Sequence, residues 1–287
     1  IFMGAVLGAG GMVTDSGMID EVKLHEKIAE LLDVFFTKRK ESLGNLKLLN
    51  TLNRKNPYLY RAAGVADASE IVEEILRAHV SSSDETLFGN VFFEPLAEWS
   101  AKHANPDATV MTSDGEGVDV TMQIPSEGVV RPIAVKSGVN VFNAASKKKQ
   151  GENFASLNKR LSKLALRFDP VVGYCYGRKK QTDRSKATFR EVAGQEFWKM
   201  LTGDDLYYIK IARCMLDTPI EHRPEFQKAF DEAKNRFVLE FLKEFSNDSG
   251  SINWDKLIAY NSAAEKPKMT SVAKKPRATK AKSTPAV

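Results

Sequence analysis

The chain has 287 residues, 43% of them apolar, enough for one large domain or two small ones. Seven of its 42 basic residues fall in 266–287, which holds no acid; the other 35 face 37 acidic residues, so the net charge of +5 belongs to the tail and the remainder stands at −2. Any case for a nucleic-acid partner must therefore rest on local clusters. Two distant cysteines, Cys175 and Cys214, and no Cys/His cluster argue against structural zinc and fit a reducing cytoplasm, and no apolar run approaches the ~20 residues of a membrane span.

Residues 1–17 are Gly-rich and nearly uncharged. Gly8, Gly10 and Gly11 lack the final glycine and the βαβ setting of a dinucleotide loop. The segment has neither a basic n-region nor a cleavage site, so it is expected to be a disordered extension and not a signal peptide. Apolar spacing predicts helices over 18–40, 43–52 and 68–79, with Asn56 and Pro57 breaking the pattern between the last two. The run from Ser81 to Asp84 reads as a cap for a helix over 85–103, kinked at Pro95, that carries Glu94 and Glu98 on one face.

Residues 117–136 read as a hairpin. Val118, Val120, Met122 and Ile124 alternate with Asp119, Thr121 and Gln123, and residues 125–128 supply the turn. On the return strand Ile133 and Val135 face one way, Ala134 and Lys136 the other. This brings Asp119 and Lys136 together on the polar side, with Ser137 and Gly138 immediately after. A helix is expected over 152–168, with Lys147, Lys148 and Lys149 before it and Lys159, Arg160, Lys163 and Arg167 along one side. A buried strand follows over 171–176, so that strand, helix and strand form a crossover in a mixed sheet. A basic loop comes next, then helices over 191–201, 206–216 and 224–245, the last carrying a core stripe of phenylalanines, and a short helix near 253–258. From about Ala263 the Lys/Ala/Pro composition predicts a disordered tail.

An Asp and a Lys on neighbouring strands are readable as a structural ion pair or as half of a phosphodiesterase site. In the second case Asp119 and the Val135 carbonyl ligate a hard divalent cation, expected to be Mg²⁺, and Lys136 orients the attacking water or neutralises charge on the phosphate. One carboxylate is too few. The position two residues before Lys136 is Ala134, which cannot ligate, so the second acid is expected to be Glu152 from the next helix, with Glu94 from the upstream helix in reserve.

Asp119 with Ala134-Val135-Lys136-Ser137-Gly138 resembles the signature of the PD-(D/E)xK nucleases. A longer set of motifs occurs in the order associated with type II restriction endonucleases of the PmeII-like family: Lys55-Asn56-Pro57-Tyr58-Leu59-Tyr60-Arg61-Ala62, Ser81-Ser82-Ser83-Asp84-Glu85-Thr86-Leu87-Phe88-Gly89 and Gly194-Gln195-Glu196-Phe197-Trp198. Cys175-Tyr176-Gly177-Arg178 and Ile252-Asn253-Trp254-Asp255-Lys256-Leu257 extend the match, which covers roughly 19–262.

The resemblance implies a restriction-endonuclease-like α/β fold, with a central mixed sheet flanked by helices. It implies one catalytic domain over 18–262 with helical N-terminal (18–104) and C-terminal (190–262) parts, between an extension over 1–17 and a basic tail over 263–287. It implies a bacterial, cytoplasmic enzyme that cuts double-stranded DNA at a short site with Mg²⁺, Mn²⁺ being able to substitute, and leaves 5′-phosphate ends. A homodimer and a cognate DNA methyltransferase protecting the same site are the expected partners. Candidate DNA-contacting residues are Ser137, Asn140, Asn143, Lys147, Lys148, Lys149, Arg178, Gln181, Arg184 and Lys186. The alternatives are a repair or junction nuclease on the same fold, or a DNA-binding protein with a degenerate site, which Ala134 motivates.

Overall fold

A computed structural model describes residues 19–112, 115–140, 142–180, 187–265, 267 and 269. Residues 1–17, and most of the tail beyond Glu265, lie outside the described residues. In chain order the helices are α1 (Glu21–Asn45), α2 (Leu48–Leu52), α3 (Pro57–Ala62), α4 (Ala68–Phe88), α5 (Glu94–Ala104), α6 (Ala144–Leu161), α7 (Gln195–Thr202), α8 (Tyr207–Arg213), α9 (Thr218–Phe245) and α10 (Trp254–Ser262). The strands are β1 (Thr109–Thr112), β2 (Val120–Ile124), β3 (Val129–Lys136), β4 (Arg167–Phe168), β5 (Val171–Tyr174) and β6 (Arg190–Ala193). The chain divides into two units, Ile1–Arg39 with Ser83–Pro224 and Lys40–Ser82 with Glu225–Val287.

The first unit holds a mixed sheet in the order β1-β2-β3-β5-β6, with β4 beside the start of β3. β1, β2 and β3 are antiparallel, and β3, β5 and β6 are parallel, so β3–α6–β5 is the crossover expected from the sequence. As the central strand, β3 is buried on both faces. Ile133 and Val135 pack with Leu24, Ile28, Phe92 and Phe197 on one side, and Ala134 packs with Phe154, Leu157, Val172 and Tyr174 on the other. The fold class is therefore the helix-flanked mixed sheet predicted above. The second unit is helical, and its core gathers Ile71, Val72, Ile75, Phe230, Phe237, Phe241 and Phe245; the phenylalanine stripe of α9 is core, as its spacing indicates.

Several elements differ from the sequence reading: residues 57–62, read as a break, form α3 capped by Asn56, and residues 167–168, read as the end of a helix, form β4 after α6 has ended at Leu161. Residues 81–84 do not cap a new helix, because α4 runs on through Phe88 and Asp84 instead takes the Arg39 guanidinium at 2.8 Å and 2.9 Å. Pro95 does not kink a helix interior. It stands in the first turn of α5, directly after a π-helical turn over Gly89–Phe93 in which the Glu94 N–H donates to the Gly89 carbonyl, so its missing N–H falls where the ladder has already been re-spaced. α6 begins at Ala144, eight residues before the expected start. The Asn143 side chain caps it by accepting the Ser146 N–H at 2.8 Å, which offsets the unfavourable placement of Lys147–Lys149 near a helix N-terminus. Residues 190–193 are a strand and not the start of a helix, since Gly194, at φ +55°, separates β6 from α7.

The charged residues that disguised β6 are partnered. Asp169, buried, accepts from Arg131 (2.9 Å) and from both arms of Arg190 (2.6 Å and 2.9 Å). Burial works to raise its carboxyl pKa, but hydrogen bonds from Arg190 and Arg131 outweigh that and hold it below the usual range. Such a group stabilises the fold above its unfolded pKa, and that contribution disappears as pH falls through the depressed folded value. Asp169→Ala is therefore expected to destabilise by about 3 kcal/mol at neutral pH, because it takes from Arg190 its carboxylate partner and leaves Arg131 only the exposed Glu127 at 3.3 Å. Denaturant titrations at pH 7 and at low pH check this; equal midpoint losses at both would contradict it.

Candidate active site

The hairpin places Asp119 by breaking its own register. β2 pairs Val120 with Ile133, which would set Asp119 opposite Ala134. Instead the Asp119 N–H bonds to the Ile133 carbonyl at 2.9 Å, one residue short, as at a β-bulge. The offset turns Val118 to the Ala134 and Tyr174 side while Val120, Met122 and Ile124 stay on the other, so the four valine-to-isoleucine positions do not share one face as their spacing suggests. With the backbone ladder ended there, the Asp119 carboxylate takes over: its Oδ2 accepts the Val135 N–H at 2.7 Å and lies 3.5 Å from Lys136 Nζ. In a strand the N–H and C=O of one residue point to the same edge, so the Val135 carbonyl also faces Asp119.

The third side chain comes from α5. In the π-helical turn Gly89 lies against the end of β3, where a Cβ would run into Ser137 Oγ. That close approach carries Glu94 to the pair. Burial first, and then the negative charge of Asp119, push the Glu94 carboxyl above the ordinary glutamate range, while Lys136 pulls the other way. Glu94, Val135, Lys136 and Ser137 line one cleft of about 230 Å³, whose remaining wall is the α4 end and the π turn, including Thr86 and Asn90. Beneath it the Cys175 thiol is pushed well up by burial, with the Glu94 charge adding to this, so it is a packed side chain and not a nucleophile.

Glu152 is placed differently from expectation. Because α6 starts at Ala144, Glu152 lies two turns inside the helix and is exposed. The α6 residue turned toward the loop before Asp119 is buried Gln150, whose amide donates to the Gly117 carbonyl at 2.8 Å, and Asn153 stands beside the same glycine. Among the described residues no group of three His, Cys, Asp or Glu side chains converges as a metal site. What converges is two carboxylates and a strand-edge carbonyl. All are hard oxygen donors, a set that fits Mg²⁺ completed by water.

The expected DNA-contacting residues divide in three groups. Ser137 lines the cleft, and Asn140, Lys148 and Arg178 are exposed. Asn143 is committed to capping α6, Lys147 pairs with Glu191 at 2.9 Å, and Lys149 pairs with Glu116 at 3.3 Å. Gln181, Arg184 and Lys186 lie outside the described residues. Glu191 also accepts from Tyr174 Oη at 2.5 Å and pairs with Lys179 at 3.2 Å, tying the first turns of α6 to the segment after β5. Asn90, which also lines the cleft, was not singled out by sequence; it stands four residues before Glu94.

Comparison with protein families gives one finding. The family model described as Type II restriction endonuclease EcoO109I matches residues 22–222, a span that contains Glu94, Asp119 and Lys136. No match is found among curated proteins.

Proposed function

This chain belongs to the type II restriction endonuclease EcoO109I family, and on that premise we propose that it is a Mg²⁺-dependent enzyme that hydrolyses double-stranded DNA at a short specific site, leaving 5′-phosphates. The observation that supports this is a cleft inside the matched span lined by Glu94 and Lys136, with the Asp119 carboxylate 3.5 Å from Lys136 and close enough to Glu94 for its charge to raise the Glu94 pKa. Glu94, Asp119 and the Val135 carbonyl are the groups that would hold the ion. When bound there, a divalent cation supplies a water of lowered pKa and a counter-charge to the phosphate. Asp119 is held in place by the Val135 N–H. Lys136, 3.5 Å from Asp119, keeps an ammonium at the cleft wall, where it orients water and offsets charge that builds on the phosphate oxygens. Glu94 occupies the role that Ala134 leaves empty, in preference to Glu152.

The finer assignments form part of the same proposal: a PmeII-like enzyme, bacterial and cytoplasmic, acting as a homodimer on a palindromic site, with a methyltransferase protecting that site. So does the division into one catalytic domain over 18–262 with flanking extension and tail. The direct experiment is incubation with DNA of known sequence plus Mg²⁺, followed by mapping of the ends. Discrete fragments with fixed ends support the proposal. Structure-dependent nicking would replace it with a repair or junction nuclease, and absence of any Mg²⁺-dependent cleavage would favour the reading that Ala134 motivates, a DNA-binding protein with a degenerate site.

The tail has a separate expected effect. Its seven basic residues over 266–287 supply salt-sensitive, non-specific affinity for phosphate. Truncation at Ala263 is expected to weaken DNA binding at low salt and to flatten the slope of log K against log salt, leaving the cleavage site unchanged. A shifted recognition sequence would show that the tail reads bases.

A further inference from the structure

We propose that Asn90 is a phosphate-binding residue of this site, its amide donating to a non-bridging oxygen of the DNA phosphate seated against Lys136. This rests on the nuclease reading above and goes beyond its metal and lysine. The argument begins with the turn that carries the residue. Of the five side-chain positions in the π turn Gly89–Phe93, Gly89 is spent on contact with Ser137, and Val91, Phe92 and Phe93 belong to the apolar core or pack against it. Asn90 alone is polar, exposed and turned into the cleft. The π turn and the start of α5 set it about one turn before Glu94, so the two line the same wall, with Thr86 a further turn out.

The chemistry of the cleft selects what Asn90 does. A phosphate brings acceptor oxygens only, and the site already offers it carboxylates: Glu94 on the cleft wall, Asp119 behind Lys136 at 3.5 Å, and Glu85, which also lines the cleft and accepts from Tyr176 Oη at 3.3 Å. The Val135 N–H is committed to Asp119, and Lys136 lies within ion-pair distance of the same carboxylate. A phosphate therefore needs further donors that do not compete for the cation and do not add negative charge. A neutral amide meets both conditions and supplies two N–H groups. An exposed asparagine in a helical path has no packing reason to be there, and its side chain is a poor helix former.

The test uses the full-length protein, with single-turnover cleavage at saturating DNA and with DNA affinity measured in Ca²⁺. Asn90→Ala is expected to slow cleavage by about 10–100-fold, comparable to or somewhat below the loss of one preorganised donor elsewhere, with affinity within about threefold of the parent. Asn90→Asp has the same shape but presents an acceptor and a charge, and is expected to be slower than Asn90→Ala by at least about tenfold. Asn90→Ser, which keeps a donor, is expected to fall between parent and alanine variant, and it serves if the alanine variant folds poorly. A purely structural role would make Asp and Ala alike, or make both lose affinity and rate together. Cleavage by Asn90→Ala within twofold of the parent, Asp equal to or faster than Ala, or a changed recognition sequence at unchanged rate each overturns the proposal; the last would assign Asn90 to base reading. If the parent protein itself does not cleave DNA, the underlying nuclease reading fails, which is a different result from a parent that cleaves and an Asn90→Ala variant that cleaves as well.

Discussion

Asp119→Asn is expected to lower DNA cleavage by at least ~10³-fold, about 4 kcal/mol of transition-state stabilisation, while DNA binding is kept. The substitution is chosen because Asp119 does two things. Its Oδ2 caps the Val135 N–H at 2.7 Å, and its charge faces Lys136 and Glu94. Asparagine preserves an acceptor for the N–H and removes only the charge. Asp119→Ala removes both and leaves a buried backbone donor unpaired, which is expected to cost about 1 kcal/mol or more of stability as well. Both variants should bind DNA at least as well as the parent in the absence of divalent cation, since each deletes a negative charge from a surface that meets phosphate. Quantified cleavage, gel-shift affinity and melting temperature for the two variants separate the chemical role from the structural one. Cleavage by Asp119→Asn at the parent rate would mean that the pair with Lys136 is a structural ion pair and that the chemistry lies elsewhere.

The hairpin, the crossover and the mixed sheet were legible because burial imposes period-two and helical patterns that survive in the sequence. Residues 171–176 read as a buried strand and α9 reads as a core helix from its phenylalanines alone, whereas Ala134, read on a polar face, is buried because β3 is covered on both sides. What was not legible came from interactions that act across the chain. The bulge at Asp119 follows from a hydrogen bond to Ile133, fourteen residues downstream and invisible to local spacing. The strand status of Arg190–Ala193 depends on Asp169 pairing with Arg190, and on Lys147, Lys179 and the Tyr174 hydroxyl partnering Glu191, side chains that look solvent-facing. The start of α6 was hidden by three lysines whose cost at a helix N-terminus is offset by the Asn143 cap and by partners Glu191 and Glu116. That error of eight residues is what made Glu152 look like a helix-start carboxylate able to reach back. The π turn has no sequence pattern of its own, although Gly89 and Pro95 bracket it, and it is the feature that carries Glu94 to Asp119.

The choice between the two carboxylates has a consequence for stability as well as for rate. Glu94→Gln is expected to lower cleavage by about 10²–10³-fold, the scale of losing one preorganised electrostatic contact in a desolvated site, whereas Glu152→Gln should stay within about twofold of the parent because its side chain points to solvent. The Glu94 carboxyl has a raised pKa, from burial and then from Asp119. A carboxyl raised in the folded state contributes stability that is fully present below its unfolded pKa, near 4.3 for an ordinary glutamate, and is lost as pH rises through the higher folded value. At neutral pH without divalent cation the raised Glu94 pKa therefore lowers stability. Glu94→Gln should melt above the parent there, and the difference should close below about pH 4. Adding Mg²⁺ reverses the order. A cation held by Glu94 and Asp119 would offset their repulsion, and at about ten times its Kd would stabilise the parent by on the order of 1 kcal/mol, or ~2–4 °C, with little gain for Glu94→Gln. Thermal melts of parent, Glu94→Gln and Glu152→Gln with and without Mg²⁺ at pH 4 and pH 7.5 provide the check. A Mg²⁺ response that survives in Glu94→Gln and disappears in Glu152→Gln would return the second ligand to α6 and require that helix to rearrange around Gln150.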